Sequence, residues 1–103
     1  MAPNSTFNRW FVYSYWSGGV PVYVGKGTGR RDRAHLPAFE RAQGRPVQRV
    51  HVHGQRLTES GAYALELRLI RRFGRRGIDK GGTLANRTEG GSQAMRGWVT
   101  FYR

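Results

Sequence analysis

Residues 9–15, RWFVYSY, alternate aromatic and β-branched side chains on a two-residue period. That pattern predicts a strand with Trp10, Val12 and Ser14 on one face and Phe11, Tyr13 and Tyr15 on the other. Ser17-Gly18-Gly19 reads as a turn. Val20 to Gly25 is then the return strand of an antiparallel hairpin, with Pro21 near its start, where a missing backbone donor is tolerated. The run Gly25-Lys26-Gly27-Thr28-Gly29 breaks that strand, and the period changes. Ala34, Leu36, Ala38, Phe39 and Ala42 predict a helix from about Arg30 to Gln43, capped by Thr28 or Gly29. Pro37 inside that pattern either kinks the helix or resets its start. Gly44 and Pro46 end it. Residues 47–54, VQRVHVHG, alternate again and place Val50 and Val52 on one face of a third strand. Thr58, Glu59 and Ser60 offer capping groups for a long helix through about Phe73. Beyond Gly74 the chain is Gly-rich and irregular. Residues 1–8 form a frayed lead-in, and the tail from Ala94 to Arg103 is a short strand or helical turn packed on the core.

No internal repeat or linker interrupts the 103 residues, which predicts a single domain over 1–103 with one modest core. There is no run of the ~18 apolar residues a membrane span needs and no signal-peptide pattern, so an intracellular, cytoplasmic setting is expected. The absence of cysteine removes disulfides and Cys-based metal sites. Charge changes the picture most. Eighteen Lys and Arg face six Asp and Glu, a net +12, and only Lys26 and Lys80 are lysines. Arginine suits phosphate because its planar fork donates two bonds to one anion. A polyanion, nucleic acid before membrane, is the expected partner.

Glu66 is the anomalous residue. Ala62, Leu65, Leu69, Ile70 and Phe73 share one arc of the second helix, and Arg68, Arg71 and Arg72 the opposite arc. Glu66 falls within the apolar arc. A buried carboxylate needs an arginine, a lysine or a metal ion beside it; a Glu–Arg ion pair at the core edge would also satisfy it. Arg31 and His35, at i and i+4, project from one face at the start of the first helix, where the dipole favours an anion. Arg31, Lys26 and the amides of Gly25 and Gly27 could meet a phosphate there; Arg30 and Arg33 compete with Arg31 for that role. The glycine run is not a Walker loop, because Lys26 is followed by Gly27 and residue 20 is Val. Tyr13 and Tyr23 lie on adjacent strands, and neighbouring cations would lower a phenol's pKa toward use as a general base. His51 and His53 share a strand face and read as surface or edge-strand residues.

These residues together resemble the GIY-YIG nuclease superfamily. FVY (Phe11-Val12-Tyr13) and YVG (Tyr23-Val24-Gly25) stand where the two naming motifs stand, the first without its Gly and Ile but with the tyrosine kept. The stretch VYVGKGTGRRDRAH is similar to the subgroup written YVGKGxGxR-x3-H, with Lys26, Arg31 and His35 at its lysine, arginine and histidine. ALELRLIRRFGRRG resembles E-x3-I-x2-(F/Y)-G-R and puts the metal-binding glutamate at Glu66. GTLANRTEGG resembles G-x-L-x-N-x-T-(D/E)-G-G and puts its asparagine at Asn86. The likeness runs over about residues 10–92.

The resemblance implies an α+β fold, a small three-stranded antiparallel β-sheet flanked by helices. It implies hydrolysis of a DNA phosphodiester with one Mg²⁺ or Mn²⁺ held by Glu66. Arg31 would bind the scissile phosphate, with Gly25, Gly27, Arg30, Arg33 and Asn86 as further substrate-side or bracing residues. Tyr13 or Tyr23, assisted by Lys26 or His35, would activate water. The rival expectation is a non-cleaving DNA- or RNA-binding module using the same basic cleft. A homodimer or a partner protein could supply specificity.

Overall fold

The computed structural model describes residues 8–87. The elements are β1 (Trp10–Ser17), β2 (Val20–Gly27), α1 (Arg31–Ala34), α2 (Leu36–Gln43), β3 (Arg49–Leu57) and α3 (Glu59–Phe73). The three strands form one antiparallel sheet in the order β2-β1-β3, so the fold is α+β as expected. The lead-in over 1–7, Thr88–Gly91 and the Ala94–Arg103 tail lie outside the described residues.

Ser17 pairs with Val20, leaving Gly18 and Gly19 as a two-residue loop with φ of 61° and 79°. Positive φ at both positions is the type I′ hairpin turn, whose twist matches that of the strands. Both strands outrun their expected lengths: β1 continues to Ser17 and β2 to Gly27. Gly25-Lys26-Gly27 is therefore strand, not turn.

β1 is central, and both of its faces are covered. Val12 and Val24 pack with Ala62, Leu69 and Ile70 of α3 and with Leu84. On the other face Tyr13, Tyr15 and Tyr23 pack with Phe39 of α2 and Ala85. This double cover is why Val12 to Tyr15 are all buried although the sequence alternates. Among the described residues no helix is long and apolar enough to cross a membrane.

The first expected helix is two helices. α1 is one turn, His35 is the junction, and Pro37 sits in the first turn of α2. Proline has no N–H to bond the Arg33 carbonyl, so the ladder breaks and restarts. No side chain caps α1; the Arg31 N–H donates to the Thr28 carbonyl at 3.3 Å, so Thr28 contributes backbone rather than hydroxyl. Thr58 does cap α3, its hydroxyl accepting from the Gly61 N–H at 3.0 Å. β3 starts and ends later than expected, and its pairing with β1 is interrupted twice, with Arg56 at φ 55°.

After α3, Arg75 grips the Asp79 carboxylate through its Nε and backbone N–H, both at 2.9 Å. The chain then runs along the outer edge of β2. The Thr83 hydroxyl donates to the Pro21 carbonyl at 2.6 Å and the Ala85 N–H to the Val22 carbonyl at 2.7 Å. Asn86 completes the series, its Oδ1 accepting from the Val24 N–H at 3.0 Å and its Nδ2 donating to the Val24 carbonyl at 2.8 Å.

Candidate active site

The β1–β2 register places Tyr13 opposite Gly25 and Phe11 opposite Gly27. A Cβ on Gly25 would lie 2.6 Å from the Tyr13 hydroxyl oxygen, and one on Gly27 would run into the Arg31 side chain. The two glycines are buried strand residues that clear room for Tyr13 and Arg31. This corrects the expectation that they offer free amides to a phosphate.

Tyr13, 1% exposed, is the hub. Arg31 donates a side-chain hydrogen bond to its hydroxyl, and His35 Nδ1 stands 3.5 Å from the same oxygen, at the long limit of a hydrogen bond. Arginine can only donate. The phenol oxygen therefore accepts from Arg31, and the direction of its contact with His35 Nδ1 follows the imidazole tautomer. Glu66, 0% exposed on α3, completes the cluster, since its charge bears on the Tyr13 phenol as does that of Asp32. Residues from β1, α1, the α1–α2 junction and α3 are thus electrostatically joined.

Burial pushes the Tyr13 phenol well above its usual range, and Glu66 and Asp32 add to the rise; Arg31 opposes it by charge and hydrogen bond but does not offset it. The expectation that nearby cations would make this phenol a better base is therefore corrected. Burial first, then the Arg31 charge, pushes His35 down to about 4. At neutral pH both groups are uncharged, a phenol that holds a proton beside an imidazole that can accept one.

Tyr23, also buried, stacks edge-on against His35 with ring centroids 5.1 Å apart and lies 6.3 Å from Tyr13. Arg30 and Arg33 are exposed at the rim; Arg33 Nε is 4.0 Å from the Asp32 carboxylate. Of the three neighbouring arginines, Arg31 is the one folded against Gly27 and Tyr13.

One expected member stands elsewhere, and another acts only as a brace. Because β2 continues through Gly27, Lys26 alternates onto the face opposite Gly25. Its Nζ lies 4.6 Å from the Trp10 ring centroid and 3.7 Å from Glu59 Oε2. It is therefore separated by the sheet from the phenol it was expected to assist. Asn86 has both ends of its amide on the Val24 backbone, so it braces β2 beside Gly25 rather than offering a donor to substrate.

Tyr15 was not singled out by sequence. Its hydroxyl donates to the Asp32 carbonyl at 2.5 Å, which pins α1 and hence Arg31 to the sheet. Its place on the same strand face as Tyr13, two residues on, is the signal that could have found it. On the other side of the sheet, Ser14 Oγ accepts from Trp16 Nε1 at 2.8 Å and lies 2.7 Å from His53 Nε2. Burial, then the neighbouring His51, lowers the His53 pKa.

The donor set can be tested against a divalent ion. Among the described residues no three His, Cys, Asp or Glu side chains converge. A cation at Glu66 would thus have one protein carboxylate and take its remaining ligands from water and a substrate phosphate. Mg²⁺ is commonly held in this way, because it dehydrates reluctantly. Glu66 supplies a carboxylate of the right kind, and at 0% exposure a hydrated ion reaches it only once its cover opens.

No family model, curated protein or solved structure matches this chain. The resemblance to GIY-YIG nucleases rests on the motif residues and their placement.

Proposed function

We propose that the protein is a DNA endonuclease of the GIY-YIG type, hydrolysing a phosphodiester with one divalent ion. The observation that carries the reading is the cluster of Tyr13, Arg31 and His35, with the buried Glu66 of α3 acting electrostatically on the same phenol. Arg31 binds the scissile phosphate and offsets charge that builds up in the transition state. Tyr13 positions the attacking water. As the water oxygen bonds to phosphorus and the bond from phosphorus to the leaving ester oxygen breaks, the phenol oxygen accepts the water proton while its own proton passes to His35 Nδ1, and the leaving oxygen takes a proton from solvent. A phenol used as a relay never becomes a phenolate, so its raised pKa is no barrier. Phosphate bound at Arg31 also offsets the second of the two influences that depress His35. The ion held by Glu66 would supply charge compensation to a non-bridging oxygen and to the leaving oxygen. Gly25 and Gly27 keep the space, and Tyr15 and Asn86 keep the framework.

A second reading, a binding module that does not cut, is favoured by one observation: burial holds Tyr13 protonated in the free protein. Supercoiled plasmid with Mg²⁺ separates the two. The endonuclease reading expects nicking or linearisation by the wild type. It expects loss of cutting with retained DNA binding in Glu66→Ala, loss in Arg31→Ala, and near-normal cutting in Arg33→Ala. A wild type that shifts plasmid on a gel but leaves it intact across metals and pH establishes the binder instead.

A further inference from the structure

The outer face of α3 plays no part in the proposed chemistry. Arg68, Arg71 and Arg72 are all exposed there. At about 100° per residue they fall within about 60° of the point opposite Glu66. The acidic residues of α3 are elsewhere: Glu59 stands 3.7 Å from Lys26 and Glu66 is buried against the sheet. Arg68 therefore has like charges at i+3 and i+4, an arrangement that weakens a helix. Arg76, exposed just past the helix, donates to Gln43 Oε1 at 3.2 Å and carries the positive strip toward α2.

This strip and the candidate site look in different directions. Arg31 and Tyr13 lie on the α1–α2 side of the sheet, while α3 packs on the opposite side. Glu66 joins the candidate site from the inner face of α3, so what stands between that site and the strip is the helix itself, about 10 Å in diameter. The strip faces away from the inner face of α3 that a phosphate at Arg31 and Glu66 would meet.

We propose that the outer face of α3 is a second DNA-backbone contact surface, which holds a duplex segment other than the one at the candidate site. The partner is double-stranded DNA because the face offers guanidinium groups at helical spacing with no acidic residue of α3 on the same arc. Such a face recognises closely spaced phosphates and no base. The proposal rests on the nucleic-acid reading of the site, but its test needs no cleavage.

The experiment compares wild type with Arg68→Gln/Arg71→Gln/Arg72→Gln and with the matching triple Lys variant, using two short duplexes carrying different fluorophores. Binding is followed by anisotropy over a salt series, pairing of the duplexes by energy transfer, and folding by circular dichroism. The salt slope of log K is expected to fall in magnitude by about 2–3 in the Gln variant, about 0.9 per lost phosphate contact. Energy transfer in the wild type should vanish with it, single-turnover cutting of saturating DNA should be unchanged, and the Lys variant should keep both slope and transfer. An unchanged slope overturns the proposal and leaves the face to an acidic protein. A reduced slope with no energy transfer in the wild type also overturns it, because the contact then belongs to the same duplex. Energy transfer that survives in the Gln variant does so too. If the wild type binds and pairs duplexes but never cuts, the endonuclease reading fails while this one stands.

Discussion

Gly25→Ala isolates the close approach at the centre of the candidate site. The φ of Gly25 is not in the left-handed region, so alanine is allowed by the backbone and even gains roughly 0.5–1 kcal/mol over glycine in a strand. The cost comes from overlap. The new Cβ would lie 2.6 and 2.7 Å from Oη and Cζ of Tyr13 and 2.9 Å from Cε2 of Tyr23. Neither ring has room to retreat, because Tyr13 is flanked by Phe11 and Tyr15 with centroids at 5.7 and 5.4 Å, and Tyr23 by His35 and Phe39 at 5.1 and 5.3 Å. Overpacking of this kind costs about 1–3 kcal/mol, leaving a net loss of up to about 2.5 kcal/mol, read as a lower urea midpoint at unchanged m. Cutting should fall by more than stability does, roughly 100-fold, since the phenol is pushed off Arg31 and His35 by a fraction of an ångström to an ångström. In a Tyr13→Ala background the same substitution should lose most of its stability cost, giving a coupling of about 1 kcal/mol or more. Equal cost in both backgrounds, or a Gly25→Ala protein that cuts at the wild-type rate, would refute the reasoning.

His35 sets a pH dependence. The unfolded chain takes up its proton near 6.5 and the folded protein at about 4, so stability present above pH 6.5 is lost as pH falls from there toward 4. Between pH 7 and 5 the loss is about 2 kcal/mol; urea midpoints at the two pH values should show it, and His35→Gln should flatten it. Lys26→Met keeps the apolar stem over Trp10 and removes the charge. It should change stability by less than about 1 kcal/mol and plasmid cutting by no more than about threefold, whereas a hundredfold drop would return Lys26 to the site.

The hairpin, the third strand and the long helix were legible because each carries one clear period, although both faces of β1 are packed and Val52 of β3 is exposed. Glu66 was legible as a polar residue in an apolar arc, and the structure buries it fully. Arg31 stood out from Arg30 and Arg33 by its helical spacing to His35, and it is the one beside Tyr13. Lys26 was misplaced for a local reason. As a turn residue Lys26 could have reached the Tyr13 side, but in a strand that runs two residues further, alternation puts it on the face opposite Gly25, and glycines serving close approach look like glycines serving a turn. Pro37 left a kink and a restart equally open until α1 was seen as a single turn. The direction of the Tyr13 shift depends on burial weighed against Arg31, and a list of nearby cations holds only one side of that balance. The docking of Thr83–Asn86 on β2 has no local signature at all, since its partners lie 62 residues away.

That docking bears on how the chain is made. β2 has its inner neighbour as soon as the hairpin closes, but the carbonyls of Pro21 and Val22 and the peptide groups of Val24 gain their outer partners only from Thr83, Ala85 and Asn86. A nascent chain emerging N-terminus first therefore carries a bare strand edge until this late segment leaves the ribosome, and a bare edge is a template for pairing with another chain. A chain interrupted before Thr83 would retain all three strands and α3 yet present that edge to its neighbours. The cover on the β2 edge thus arrives only after every strand and helix of the described residues has been made.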